Sequence, residues 1–213
     1  GVCMNNSTNY YNIDVDKLID KGCCIDDCFY LKDLKQRKLF IDDDICQETI
    51  GEIVKHIMQF NKEDKGIKKE DRTPILLYIT SNGGNVDDGF ELIDIIKNSE
   101  TPVYTINLGY QYSMAFLINL AGHKRFATKN AKFLMHDGSN FLYSSSAKIK
   151  DQMAFQNVVE KRIKDYVLAN SKITEKEYSK KYRVEWYMYA DEAKKNGFVD
   201  YIVGEDCRLD DII

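Results

Sequence analysis

Proline is nearly missing from this chain, with two residues in 213, and histidine is scarce, with three. So little proline excludes a collagen-like or proline-rich disordered chain. The histidine count restricts any histidine-based chemistry to His56, His123 or His136. A basic excess is lacking too: 30 Lys and Arg face 34 Asp and Glu, for a net charge of −4. Without a basic footprint, nucleic acid is not an expected partner. No long hydrophobic run exists either. The longest, Met114 to Ala121, is broken by Asn119 and is far too short to span a membrane. The first residues are polar and Asn-rich, with no basic segment leading into an apolar one, so they do not read as a secretion signal. A cytoplasmic location is the resulting expectation, with the six cysteines reduced. Cys23, Cys24 and Cys28 cluster, but no histidine or second cysteine pair follows at metal-site spacing, so neither a metal nor a cofactor is expected.

What is present is a globular composition, 44% apolar and 30% charged, in a chain long enough to bury a proper core. Residues 1–36 are polar and irregular, with one short amphipathic stretch at Val15, Leu18 and Ile19. They read as an N-terminal extension that docks or stays mobile. Residues 37–213 read as one α/β domain. Strands are predicted at Lys38 to Ile41, Ile75 to Ile79 and Val103 to Asn107, the second apolar throughout and so covered on both faces. A helix capped by Asp42-Asp43-Asp44 is predicted to run to Phe60, with Ile50, Ile53, Val54, Ile57 and Met58 on its apolar side. His56 falls off that stripe and is expected to be solvated, as is His123 in a basic segment. Asn61 to Arg72 is a charged loop. Helices are also predicted from about Asp87, from Met114 to Leu120, over a long Ala147 to Asn170, and at Glu175 to Tyr182 and Ala190 to Asn196. A short strand pair at Arg125 to Ala127 and Lys132 to His136 and a last strand from Phe198 to Val203 complete the alternation. Such alternation implies a mostly parallel sheet.

Chemistry concentrates at three places. Ser113 stands where an apolar strand and a glycine hand over to a helix, a position that suits either an N-cap or a nucleophile backed by free N–H groups. His136 closes the apolar run Phe133-Leu134-Met135, as a general base at a strand end or as a satisfied structural histidine. Gly83-Gly84 forms either a tight turn or a loop whose N–H groups approach a substrate oxyanion.

In combination, SNGGNV (81–86), GYQYSMA (109–115), FLMH (133–136) and DEAKKNGFVD (191–200) resemble the Clp protease proteolytic subunit (ClpP) family over roughly Phe40 to Gly204. The resemblance implies a ClpP/crotonase-like α/β fold of repeated β-β-α units with a protruding handle helix, here about 147–170. It further implies a serine endopeptidase with Ser113 as nucleophile, His136 as base, and the N–H groups of Gly84 and Met114 as the oxyanion site. Counting back from Glu192-Ala193 puts Glu185 where the family keeps its orienting aspartate. The substrate would be peptide or unfolded protein, hydrolysed inside stacked heptameric rings forming a tetradecamer and fed by an AAA+ unfoldase. The chain departs from the family pattern at Glu185, at Gln111 and Tyr112 in place of small residues, at Asn82 in place of proline, and at Asp137-Gly138 in place of Gln-Pro. These departures motivate an alternative: a catalytically silent ring subunit that scaffolds or regulates an active paralogue. An acyl-CoA enzyme of the related crotonase fold is a third reading, one that has no need of a Ser–His–acid set.

Overall fold

The computed structural model describes residues 14–138 and 145–213. The chain divides into two compact units at Leu39/Phe40. The first contains α1 (Val15–Asp20) and α2 (Ile25–Lys35), two helices packed on each other. Of these, α1 coincides with the short amphipathic stretch, while α2 falls in a segment expected to be irregular. Its sequence, IDDCFYLKDLK, spreads charge around the whole helix, which leaves no periodic signal to read.

The second unit begins within β1 (Lys38–Ile41) and continues through α3 (Gln47–Glu63), β2 (Ile75–Ile79), α4 (Val86–Asn98), β3 (Val103–Asn107), β4 (Tyr110–Tyr112), α5 (Met114–Asn119), β5 (Lys124–Thr128) and β6 (Lys132–Met135). Then follow α6 (Ser146–Ala169), α7 (Glu175–Lys181), β7 (Trp186–Tyr189), α8 (Ala190–Lys195) and β8 (Tyr201–Val203). Two sheets result, one of five strands in the order β1-β2-β3-β5-β8 and one of three in the order β4-β6-β7. In the larger sheet β2, β3, β5 and β8 are parallel neighbours, with Ile75 beside Val103 and Thr105 beside Arg125.

Burial explains the larger sheet. Ile75, Leu77, Ile79, Val103 and Ala127 are all fully buried, and α3 and α4, which pack on each other, bury Ile50, Ile57, Leu92 and Ile96. Other sheet residues, Tyr78, Ile106 and Phe126, pack with Ile212, and the Tyr78 hydroxyl donates to the Ile212 carbonyl. The α/β architecture with its parallel sheet agrees with the fold expected from the sequence. Individual expectations need correction. The helix begins at Gln47 with Cys46 as its N-cap, after the aspartates, because Ile45 is tied to the double-glycine loop as an isolated bridge to Gly84. Met58 is exposed, and Phe60 takes its place on the buried side. Strands β5 and β6 do not pair: each joins a different sheet. β4 and β7 were not anticipated.

Candidate active site

The three-stranded sheet is built so that one end of it gathers the chemistry. β4 and β6 run parallel, with Tyr112 beside Leu134, while β6 and β7 run antiparallel, with Met135 opposite Trp186. The residue after β4 is Ser113, the residue after β6 is His136, and the residue before β7 is Glu185. By strand direction all three leave the sheet at the same end. Continuing the β6–β7 register one step sets His136 opposite Glu185.

Ser113 occupies a tight turn between β4 and α5, with φ 54° and ψ −121°. This is one of only two positive φ angles at non-glycine residues among the described residues. Such a conformation costs about 1–3 kcal/mol and persists only when its surroundings impose it. They do: Tyr112 N–H donates to the Ser81 carbonyl at 3.0 Å and Ser113 N–H to the Leu134 carbonyl at 3.0 Å. A strained strand-to-helix turn holds a nucleophilic hydroxyl clear of the sheet. The Ser113 side chain caps no helix amide, so the N-cap reading fails in its usual form.

The double-glycine loop presses on this turn. A Cβ on Gly83 would lie 2.7 Å from Ser113 Cβ and 2.9 Å from Met114 N, and one on Gly84 would strike the Ile45 backbone. Ile45 N–H to the Gly83 carbonyl (2.9 Å) and Asn85 N–H to the Ile45 carbonyl (2.7 Å) clamp the loop. Gly84 and Met114 donate no backbone hydrogen bond among the described residues. Met114 N–H opens α5, where amides have no helical partner.

Ser113 and His136 line one cavity of about 40 Å³, with Val86, Leu117, Ile163 and Tyr178 among its walls. His136 Nε2 is buried and has no hydrogen-bond partner among the described residues, so no bond joins the imidazole to Ser113. Glu185 is exposed and its Oε2 accepts from the Tyr187 hydroxyl at 3.2 Å. Partial burial first, and then the Glu185 carboxylate, raise the Tyr187 phenol above its ordinary range. The Tyr187 ring meets Tyr112 edge-on, with centroids 5.7 Å apart.

The remaining sequence candidates fall elsewhere. His56 is half-buried on α3, contrary to the solvated position expected, and burial lowers its pKa. His123 is exposed, its Nδ1 accepting from Val103 N–H at 3.0 Å. Neither lines the Ser113 cavity. Gln111 points away from solvent: it is fully buried, and its Nε2 donates to the Ile79 and Ile106 carbonyls. No group of three or more His, Cys, Asp or Glu suited to a metal ion occurs among the described residues. A much larger cleft, about 1340 Å³, is lined by charged groups including Lys97, Lys172 and the Arg125–Asp200 ion pair. It shares no residue with the Ser113 cavity, and the serine that lines it, Ser171, donates to the Val167 carbonyl at 2.7 Å. Sequence reasoning missed Tyr178 and Tyr182, which line the cavity from α7 and its C-cap. Their i, i+4 spacing was the available signal.

Comparison with known proteins bears on this site. The family model described as Clp protease matches residues 26–206. The ATP-dependent Clp protease proteolytic subunit 2 of Treponema pallidum is 34% identical over 110 residues, 51% of this chain and 52% of that protein, so the match spans about half of that relative. The proteolytic subunit 1 of Streptomyces avermitilis is 28% identical over 181 residues, 84% of this chain and 79% of its own length. The proteolytic subunit 2 of Treponema denticola is 27% identical over 179 residues, covering 83% and 86% respectively.

Proposed function

This chain belongs to the Clp protease family, and from that premise we propose that it is a serine endopeptidase subunit hydrolysing peptide bonds through Ser113, His136 and Glu185. The observation that carries the reading is Ser113 held in a strained strand-to-helix turn beside a buried, unpartnered His136 Nε2 in one cavity. Ser113 Oγ attacks the peptide carbonyl while His136 takes its proton, forming a tetrahedral oxyanion. The Gly84 and Met114 amides stabilise that oxyanion, each such donor being worth about 10²–10³ in rate. Protonated His136 then gives its proton to the leaving amine, and a water activated by the same imidazole releases the acyl group. Glu185, opposite His136 in register, orients the imidazole, as glutamate does in other serine hydrolases. In this resting arrangement its carboxylate rests on Tyr187, so substrate binding has to complete the set. Catalytic hydrogen bonds commonly tighten only then.

The same premise extends to assembly. The relatives are named as proteolytic subunits of ATP-dependent proteases. We take residues 37–213 as the peptidase domain, residues 1–36 as an extension, stacked heptameric rings as the assembly, an AAA+ unfoldase as the feeding partner, and the cytoplasm as the site of action. Labelling with a fluorophosphonate probe tests the chemistry. The assembled wild-type protein is expected to be modified at Ser113, and Ser113→Ala is expected to abolish it. A second reading, the catalytically silent ring subunit, draws on the missing Ser113–His136 bond. Assembled protein that resists the probe and hydrolyses no peptide alone would favour that reading.

A further inference from the structure

The larger cleft lies where β3 and β5 begin, and its charge runs against that of the chain. His123 N–H donates to the Val103 carbonyl at the start of β3, and Lys124 and Arg125 open β5. The chain has a net charge of −4, yet Lys69, Lys97, Lys172 and Lys195 line this cleft, are exposed, and make no ion pair among the described residues. Two of the three carboxylates in the lining are already engaged. Asp200 accepts from Arg125 N, Nε and Nη2 at 2.9, 3.0 and 2.7 Å, and Glu205 pairs with Lys129 at 3.1 Å. The lysines also act on one another's surroundings. Burial first, and then the Lys69 and Lys97 charges, lower the His123 pKa against the pull of its bond to Val103; burial and Arg125 lower that of Lys97.

Lysines near helix C-termini commonly serve the helix dipole, and Lys97 and Lys195 stand in the last turns of α4 and α8. That role does not extend to Lys69, in the charged segment before β2, or to Lys172, between α6 and α7. Like charges gathered in one cleft repel until an anion joins them. The walls narrow the kind of anion. α4, α5 and α6 meet the cleft with their C-terminal ends, at Lys97, Leu120 and Ala169. Such ends present carbonyls and the negative end of the dipole, whereas a compact phosphate takes the amides of a helix N-terminus. Where α8 begins, the lining residue is Asp191, a carboxylate that repels phosphate. Arg125, the only guanidinium in the lining, is spent on Asp200 and on the Asn170 carbonyl. A peptide answers both features of these walls, with carboxylates for the ammonium groups and backbone N–H groups for the carbonyls.

We propose that this cleft is a docking site for an acidic segment of a partner protein, a stretch rich in Asp and Glu whose carboxylates pair with Lys69, Lys97, Lys172 and Lys195. Each pair is exposed and weak alone, so recognition rests on several acting together. The cleft shares no residue with the Ser113 cavity, so docking here is separate from the chemistry proposed there.

Fluorescence anisotropy on the assembled full chain tests this, with a labelled peptide of alternating Glu and Ala and a Gln-Ala peptide as its neutral control. Wild-type protein is expected to bind only the acidic peptide at about 0.01 M salt, and to lose most of that binding at about 0.1 M, as the Debye length falls from about 30 to about 10 Å. The double variant Lys69→Glu/Lys172→Glu is expected to bind about tenfold more weakly, two surface ion pairs being lost and two repulsions gained. Lys55→Glu/Lys65→Glu makes the same charge change on exposed lysines outside the cleft and is expected to leave binding nearly unchanged. Carbodiimide coupling of the acidic peptide to wild-type protein should form amides at the four cleft lysines. Absence of binding by wild type, coupling confined to other lysines, or an equal loss in both double variants overturns the proposal, and the first two need no variant to fold. Inorganic phosphate or a single-stranded oligonucleotide that displaces the peptide at lower concentration than unlabelled acidic peptide does would assign the cleft to phosphate anions, and overturns it as well.

Discussion

The two sheets divide the work of the molecule. The five-stranded sheet has the apolar run of β2 near its middle, keeps Ile75, Leu77, Ile79 and Val103 fully buried, and carries no candidate catalytic group on β2 or β3. The three-stranded sheet is short and mixed, with strands of three and four residues. One of its faces buries Gln111, Phe133, Met135, Trp186 and Met188, and the other leaves Tyr110, Tyr112, Tyr187 and Tyr189 half-buried or exposed. All three proposed catalytic residues leave its one end. The lesson is that rigidity and chemistry are carried by different sheets, joined through the turn at Ser113 and the loop at Gly83. That turn is held by the bonds to Ser81, two residues beyond β2, and to Leu134 of β6.

Mutations should separate the two sheets. The largest effect is expected from Ser113→Ala, which removes the nucleophile and lowers peptide turnover by about 10⁴ or more while leaving denaturant unfolding nearly unchanged. In the other sheet, Leu77→Ala should cost about 2–5 kcal/mol in urea unfolding, by lost burial and the cavity left behind. Its Ser113 labelling, measured where the variant is fully folded, is expected to match wild type. Slow labelling there would show that the division between sheets is false. Between these lies Gly83→Ala. The added methyl would sit 2.7 Å from Ser113 Cβ on a backbone with φ 102°, so it must displace the nucleophile's turn. A loss of about 10² in labelling is expected, in line with the sensitivity of reaction geometry to shifts of about 1 Å. Unaltered labelling would mean that the loop does not position the turn.

The same division governs what could be read from the sequence. β2 falls where its apolar run lies, because a strand buried on both faces is hydrophobic at every position, while β1 and β3 were marked by shorter apolar stretches. β4 and β7 carry no comparable signal. YQY is three residues long, and WYMY alternates buried with exposed aromatic residues in a segment without turn signals on both sides. The expected pairing of β5 with β6 fails for the same reason: the partners of β6 are β4 and β7, the two strands without a signal. Ser113 and His136 were legible because each ends or follows an apolar run. Glu185 was legible only through resemblance, since one carboxylate among 34 acidic residues carries no signal of its own. Tyr178 and Tyr182 carry only an i, i+4 spacing, which pairs them on one helix face but does not say that this face lines a cavity.

The smallest expected effect tests how finished the catalytic end of the small sheet is before substrate arrives. Glu185 stands opposite His136 in register, yet its carboxylate accepts from Tyr187, two residues along the same strand and on the same face. Glutamate is one methylene longer than aspartate, and that length lets the carboxylate fold back along β7 to reach the phenol. The bond is exposed and 3.2 Å long, so water competes with it and it holds the carboxylate only weakly. Tyr187→Phe keeps the ring against Tyr112 and removes only this competitor. Labelling of Ser113 is therefore expected to speed up by about two- to fivefold. Glu185→Gln should slow it, and the double variant should behave as Glu185→Gln alone, because the gain requires a carboxylate to release. A gain in Tyr187→Phe that survives in the double variant would assign the effect to the tyrosine face itself. Slower labelling in Tyr187→Phe would reverse the picture, making Tyr187 the residue that holds Glu185 in working position. Either result decides whether the glutamate at this sheet end is restrained from His136 or aimed at it.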